Sequence, residues 1–352
     1  MTNVLESPVQ SRAGSQYGAR VPPEPPNYAV RARGLVKRYG ATTALAGIDL
    51  EVPTGTVTAV LGPNGAGKTT AVRILTTLSE PDEGEATVAG FDVRDQPGEV
   101  RRRIGLAAQD ATVDPLLTGR ENLIMLGELH QLSRAEAERR TDELLAEFSL
   151  SDAADRVVSG YSGGMRRRLD LAATLVAHPQ VLFLDEPTTG LDPRARKDLW
   201  EVLETLVCRG TTVLLTTQYL EEAERLADDI VVIDHGRIIA RGDARKLKRE
   251  VGGDHVQVIV AEPEQLEQAA RIVADVTGIT PDVDASTRSI TAPTTLGVDA
   301  VVHVATALRE AEIPVEDLSL RQPTLDEVFL TLTGSMPDDT EDGDRELVEA
   351  HQ

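Results

Sequence analysis

Apolar residues between about positions 29 and 248 form short continuous runs that alternate with helical patterns. The runs TVTAVLG, VLFLD and TTVLLTT are each followed by a segment of helical periodicity, such as KTTAVRILTTL or LEEAERLA, and a further run, DIVVID, closes the series. Continuous apolar strands that alternate with helices are typical of a parallel sheet covered on both faces. The pattern therefore predicts an α/β fold for residues 29–248.

Two segments depart from this alternation and predict separate units. Residues from about 116 to 177 are helical almost throughout, and Thr118 and Glu121 are spaced as a capping box at a helix start. After residue 248, the run HVQVIVA precedes predicted helices over 264–276 and 301–311, a short strand near Ser289, the run VEDLSL and a last helix from Pro323. We therefore expect an inserted helical subdomain at about 116–177 and a C-terminal α+β domain over 249–335.

Both ends of the chain have compositions typical of unstructured segments. Residues 1–28 are polar and proline-rich without periodicity, which predicts a flexible leader. Residues 336–352 are strongly acidic, which predicts a solvated, disordered tail.

Charge and cysteine usage exclude several classes of protein. The 36 Lys and Arg against 58 Asp and Glu give a net charge of −22, which speaks against nucleic-acid binding. The single cysteine, Cys208, cannot form an intramolecular disulfide, so a reducing compartment is favoured. No run approaches the roughly 18 apolar residues of a membrane span. We therefore expect a cytoplasmic protein that does not itself cross a membrane.

A phosphate-binding loop is indicated between the first apolar run and the helix after it. The segment from Gly62 to Thr69 fits G-x-x-x-x-G-K-[ST] in the required strand–loop–helix context. Its glycines let backbone N–H groups surround phosphate oxygens at a helix N-terminus, Lys68 adds a charge for the β and γ phosphates, and the Thr69 hydroxyl suits Mg²⁺. The predicted nucleotide contacts here are Gly62, Pro63, Asn64, Gly65, Ala66, Gly67, Lys68, Thr69 and Thr70.

Two carboxylates follow the buried run VLFL and predict the rest of a phosphoryl-transfer site. Asp185, at the end of a strand beside a P-loop, is placed to hold Mg²⁺ through water. Glu186, one residue further, is the candidate that polarises an attacking water. Together with Lys68, these residues predict an enzyme that hydrolyses a magnesium nucleotide.

A second phosphate site is indicated at Ser162-Gly163-Gly164, which precede an apolar helix. A Ser-Gly-Gly sequence that opens a helix provides another positively polarised N-terminus for an anion. Only one P-loop and one strand that ends in paired acids are found in the sequence. This second phosphate site is therefore expected to act on a nucleotide held by another subunit.

In this order, the motifs of residues 30–245 resemble those of the nucleotide-binding subunit of an ATP-binding cassette (ABC) transporter. The resemblance implies adenine stacking by Tyr39, contact of Gln109 with Mg²⁺ or water, and a signature loop at Ser162 to Gly164. It also implies that Gly190-Leu191-Asp192 cross to a partner subunit. The implied fold is a P-loop NTPase of ABC type, with a parallel-sheet core, an antiparallel β subdomain and the helical insertion.

The sequence departs from the family pattern at three positions. Tyr161 and Met165 replace the usual Leu and Gln around the signature loop and leave its Ser-Gly-Gly intact. The switch histidine of the family falls on Gln218, which can donate a hydrogen bond to a γ-phosphate but carries no titrating charge. Gln218 therefore stays a candidate catalytic residue, and more of the catalytic role falls to Glu186.

The strings YSGGMRRRLDLA, TTQYLEEAERLADDI and PTLDEVFLTLTG resemble the drug-resistance branch of the family, the daunorubicin and doxorubicin resistance ATP-binding proteins. The resemblance implies an ATPase that dimerises around two Mg-ATP and powers export of drugs or other amphipathic molecules through a separate integral membrane permease, at the inner face of the membrane. Two alternatives remain open: a soluble ABC protein acting on ribosomes or DNA, and a regulatory module that binds ATP without useful turnover.

Overall fold

The computed structural model describes residues 27–108, 112–251 and 254–333. Gln109, the acidic tail and almost all of the leader lie outside these residues. The exceptions in the predicted leader are Asn27 and Tyr28, and the first strand begins at Tyr28 rather than at residue 29.

The described part of the chain contains fourteen strands and eleven α-helices, numbered in chain order, together with three short 3-10 helices. The strands are β1 Tyr28–Tyr39, β2 Thr42–Pro53, β3 Val57–Leu61, β4 Glu83–Val88, β5 Phe91–Asp92, β6 Ile104–Ala107, β7 Val181–Asp185, β8 Thr212–Thr217, β9 Asp229–Asp234, β10 Arg237–Gly242, β11 His255–Val260, β12 Asp282–Asp284, β13 Ser289–Pro293 and β14 Val315–Arg321. The helices are α1 Lys68–Leu75, α2 Pro97–Arg101, α3 Gly119–Leu129, α4 Arg134–Glu147, α5 Gly163–Thr174, α6 Pro193–Cys208, α7 Leu220–Leu226, α8 Ala244–Val251, α9 Leu266–Thr277, α10 Val298–Glu310 and α11 Leu325–Thr333.

The predicted parallel sheet is confirmed as a six-stranded sheet in the order β10-β9-β3-β8-β7-β6. All its neighbouring pairs are parallel except the hairpin of β9 and β10. Every residue of β3, β7 and β8 is buried, as continuous apolar runs require of strands covered on both faces. Alternate residues enter different cores: Leu182 and Leu184 face one, and Phe183 faces the other.

The two cores attach two further layers to this sheet. On the side of Phe183 lie α1 and an antiparallel sheet in the order β2-β1-β4-β5, which is the predicted antiparallel subdomain. On the side of Leu182 and Leu184 lie residues of α3, α4 and α5. The helical character predicted for about 116–177 is confirmed, as is the capping box in which Thr118 and Glu121 bond reciprocally at the start of α3.

The C-terminal segment folds as β11-α9-β12-β13-α10-β14, with the antiparallel strand order β12-β13-β11-β14. This βαββαβ arrangement is the ferredoxin-like topology. Its own core lies between the sheet and the two helices, with Val258, Val273 and Val304 fully buried.

The last helix packs away from this ferredoxin-like unit. Leu325, Val328 and Phe329 of α11 belong to the core shared by the central sheet and the helical subdomain, where α11 lies against α7 and α8. The unit over 249–335 is thus tied back to the nucleotide-binding part of the chain by about three buried side chains. Helix α8 also continues past the expected boundary at residue 248, to Val251.

Candidate nucleotide-binding and hydrolysis site

The P-loop, the Asp185–Glu186 pair and Gln218 all lie at the carboxyl edge of the central sheet. Strand register pairs Leu61 with Thr217, and Asp185 with Thr216, across the adjacent strands β3, β8 and β7. The loops that leave these strand ends therefore begin side by side. This edge is where ligands bind in open parallel α/β sheets.

Backbone geometry explains two of the P-loop glycines. Gly67 has φ of 109° and caps the N-terminus of α1, and a Cβ there would lie 2.5 Å from the carbonyl oxygen of Ala44. A Cβ on Gly62 would lie 2.3 Å from the carbonyl oxygen of Ile233. Both positions exclude a side chain, so the loop passes close to β2 and β9 and leaves the N-terminus of α1 facing the sheet edge.

Lys68 lies under the P-loop, with only 4% of its side chain exposed. Its ammonium donates to the carbonyl oxygens of Gly62 at 2.7 Å and Pro63 at 3.1 Å, and it lies 3.4 Å from Oε1 of Glu186. Burial lowers the pKa of Lys68, and the Glu186 carboxylate opposes that shift. The structure thus joins the predicted phosphate-binding cation and the predicted water-orienting acid.

An oxygen-rich pair lies beside this ion pair. The Thr69 hydroxyl donates to Oδ1 of Asp185 at 3.3 Å, and the Thr216 hydroxyl donates to the same oxygen. A hydroxyl and one carboxylate fit Mg²⁺, which is usually bound through one or two carboxylates together with waters and phosphates. In the described ranges no group of three or more His, Cys, Asp or Glu could hold a metal ion. A Mg²⁺ held by Thr69 and Asp185 would need phosphate and water oxygens to complete its ligands.

Glu186 has a backbone conformation that is rare for its residue type. Its φ of 48° is left-handed, which costs a non-glycine residue roughly 1–2 kcal/mol. The N–H of Glu186 donates to both the carbonyl and the hydroxyl oxygen of Thr216, each at 3.1 Å. Such conformations persist where the surroundings hold them, and they concentrate at functional sites.

The signature loop lies at the start of α5 and is exposed at its tip. Ser162 caps the helix by accepting from the N–H of Met165 at 3.2 Å, while Ser162 and Gly163 remain exposed. A Cβ on Gly164 would lie 3.0 Å from that of Ala195, so the loop packs against the first turn of α6. Asp192 caps that turn through Ala195 N–H at 2.8 Å, so in this chain its carboxylate has a local structural partner.

The remaining predicted residues lie at the edges of this region. Tyr39 ends β1 with a half-exposed ring, 5.5 Å from the Lys37 ammonium, on the hairpin that leads to Ala44 beside the P-loop. Gln218 lies between β8 and α7, partly buried, directly after the strand end that pairs with Leu61. Their roles in binding stay predictions, as does that of Gln109.

Sequence reasoning missed two residues that hold the site together. Thr216 joins Asp185 and Glu186 through one hydroxyl, and Arg167 donates to the carbonyl oxygens of these two residues, of Pro187 and of Ala108. Threonine in a buried strand gives no signal of this kind. The string Met165-Arg166-Arg167-Arg168 was visible, but the sequence does not show which arginine points inward.

The fold and the grouped motifs place the protein among the P-loop ATPases of ATP-binding cassette type. The family model described as ABC transporter matches residues 45–189. Daunorubicin resistance ATP-binding protein DrrA2 of Streptomyces coeruleorubidus is 56% identical over 89% of this chain and 98% of its own length. Daunorubicin/doxorubicin resistance ATP-binding protein DrrA of Streptomyces peucetius is 48% identical over 89% and 95% of the two chains. The chain belongs to this family of daunorubicin and doxorubicin resistance ATP-binding proteins and is an ABC ATPase.

Solved structures agree with this assignment. The structure of an ATP-binding subunit of an ABC transporter is 31% identical, with a TM-score of 0.58 over 63% of this chain and 92% of that one. A dimeric ATP-binding cassette in a post-hydrolysis state, bound to ADP and Pi, is 26% identical with a TM-score of 0.56 over 61% and 98% of the chains. None of the helices that the structure describes is both long and apolar enough to span a membrane.

Proposed function

We propose that this ATPase powers the export of drugs or similar amphipathic molecules through a separate integral membrane permease, to which it binds at the inner face of the membrane. Relatives that match over nearly their whole length support the cargo class, because one is named for resistance to daunorubicin and another for resistance to daunorubicin and doxorubicin. The arrangement of Lys68 and Glu186 at the P-loop carries the proposal of hydrolysis.

The proposed chemistry follows from the residues at the sheet edge. ATP would place its β and γ phosphates against the N-terminus of α1, where Lys68 exchanges part of its contact with Glu186 for phosphate oxygens. The released carboxylate of Glu186 then orients and polarises a water for attack on the γ-phosphorus, while the bond from that phosphorus to the bridging oxygen breaks and ADP leaves. Thr69 and Asp185 would hold Mg²⁺, which when bound neutralises charge on the phosphate oxygens.

We further propose that two copies of the chain sandwich two ATP molecules. The exposed Ser162–Gly163 start of α5 supports this, since a free helix N-terminus can close over a γ-phosphate held by the P-loop of a second copy. Gln218 would donate a hydrogen bond to the same phosphate. The dimeric state of one related cassette supports the same arrangement.

Transport by inverted membrane vesicles tests the proposed function. Vesicles come from the organism that encodes the chain, with the gene intact or carrying Glu186→Gln. We expect ATP-dependent accumulation of daunorubicin in the first and none in the second. Equal accumulation in both would exclude this chain as the motor for that drug. If the Glu186→Gln vesicles also release less phosphate, the ATPase activity of the chain is separate from transport of daunorubicin.

A further inference from the structure

The side chain of Arg167 extends from helix α5, which begins at the signature loop, to the end of strand β7, which carries Asp185. Its guanidinium donates to the carbonyl oxygens of Pro187 at 2.7 Å, Glu186 at 3.3 Å and Asp185 at 3.4 Å. A fourth bond, at 2.8 Å, reaches the carbonyl oxygen of Ala108, directly after the neighbouring strand β6. One side chain therefore contacts the backbone carbonyls of three successive residues, which include the predicted metal ligand Asp185 and the predicted water-orienting residue Glu186.

These hydrogen bonds reach a backbone segment that has an unfavourable conformation at Glu186. Glu186 is in the left-handed region, with φ of 48°. Its N–H is fixed from one side by Thr216, and its carbonyl oxygen is fixed from the other side by Arg167. The direction of the Cα–Cβ bond of Glu186, and hence the position of its carboxylate, depends on both contacts.

The geometry requires a guanidinium rather than any cation. Arginine presents five N–H donors in a planar fork, whereas lysine presents one compact ammonium that cannot span carbonyls on two strands. Burial lowers the pKa of Arg167, and the nearby Asp170, Glu222 and Asp185 carboxylates oppose that shift. Since an arginine stays protonated in proteins, the charged fork is retained.

The same helix carries the proposed ligand-binding loop at its start. Arg167 follows Ser162 by five residues, little more than one helical turn. One turn further on, Asp170 accepts the N–H groups of Thr112 at 2.8 Å and Val113 at 3.2 Å. A rigid displacement of α5 would therefore move the Arg167 side chain and shift the backbone of Glu186 to which it is hydrogen-bonded.

We propose that Arg167 is a positioning residue for hydrolysis, which ties the placement of the Glu186 carboxylate to the placement of the signature loop. The inference rests on the proposed function of Glu186 as the water-orienting group. It adds that closure of Ser162–Gly164 over a phosphate and alignment of the base are one mechanical event, because α5 carries both.

Arg167→Gln tests this by steady-state ATP hydrolysis. We expect kcat to fall about 10- to 100-fold, the loss expected for charge-assisted hydrogen bonds, with the KM for ATP changed less than about threefold. Arg167→Lys keeps a cation and should still lose roughly tenfold, so the test survives if the glutamine variant does not fold. Arg168→Gln is the matched control, since Arg168 donates to the carbonyl of Phe148 at 3.2 Å, and its kcat should stay within about twofold.

A double-mutant cycle separates positioning from general damage. Single-turnover hydrolysis is measured for Arg167→Lys, Glu186→Gln and the double variant. If Arg167 acts through Glu186, adding Arg167→Lys to Glu186→Gln costs little further rate. Losses that multiply, or an Arg167→Lys defect confined to KM, would overturn the inference while leaving the proposed function intact. Full turnover in Glu186→Gln alone would overturn both.

Discussion

Replacing Glu186 with glutamine should lower the thermal stability of the nucleotide-free protein. It should also increase the stabilisation that a bound nucleotide provides. The change keeps the side chain's shape and removes the carboxylate charge 3.4 Å from the Lys68 ammonium. At that distance, with an effective dielectric constant near 20, the two charges attract by about 5 kcal/mol before desolvation is counted. Lys68 keeps its bonds to the carbonyls of Gly62 and Pro63, so we expect a net loss of about 2 kcal/mol in the free energy of unfolding.

Scanning calorimetry measures this loss directly. A change of about 2 kcal/mol should lower Tm by roughly 4–8 °C. A non-hydrolysable ATP analogue supplies phosphate charge to Lys68 and no longer faces the Glu186 carboxylate, so its stabilising shift should be larger in the variant than in the wild type. Glu143→Gln is the control, because the Glu143 side chain pairs with Arg139 and Arg140 at the surface, so its loss should leave Tm nearly unchanged. An unchanged Tm with equal analogue shifts would refute the coupling of Lys68 to Glu186.

Three further predictions concern single positions. Lys68→Ala should weaken binding of a fluorescent ATP analogue at least about 100-fold at equilibrium, and unchanged affinity would contradict its phosphate role. Gln218→His should add an ionisation near pH 6.5 to the rate profile, and a profile identical to that of the wild type would place residue 218 away from the reacting phosphate. Burial raises the pKa of Glu222, so its charged form destabilises the fold as pH rises above the ordinary glutamate pKa. Glu222→Gln should keep the 3.1 Å hydrogen bond from Trp200 and raise Tm more at pH 8 than at pH 5. Equal Tm shifts at the two pH values would contradict this.

The sequence predicted the features whose signal is local. Continuous apolar runs indicated the buried parallel strands, and the glycine-rich loop with Lys68 indicated a phosphate site because its flanking strand and helix were readable. Thr118 and Glu121 indicated a helix start because a capping box is formed within four residues.

Features that depend on tertiary placement could not be read in this way. Apolar periodicity predicted a helix from Pro323, and it begins at Leu325, but periodicity does not state which core a buried face enters. Phe329 packs with the nucleotide-binding part of the chain. A truncation after about Lys248 would therefore remove a side chain from a core that the nucleotide-binding part of the chain shares. The roles of Thr216 and Arg167 likewise arise from strand register and helix orientation.

We propose that each hydrolysis site is shared between two copies of the chain. Gly163 allows a sharp test, because the space around its missing Cβ is open to 4 Å and an aspartate there should fold normally. In Gly163→Asp, the new carboxylate repels a γ-phosphate at the start of α5. In Lys68→Ala, the P-loop is damaged instead.

The deciding measurement is ATP-dependent dimerisation by light scattering, in a Glu186→Gln background that prevents turnover. Each single mutant is compared with an equal mixture of Lys68→Ala and Gly163→Asp chains. A mixed dimer contains one site with both lesions and one site with neither, whereas either homodimer has two damaged sites. We expect the mixture to dimerise more than either mutant alone. Dimerisation equal to the average of the two would contradict the shared site.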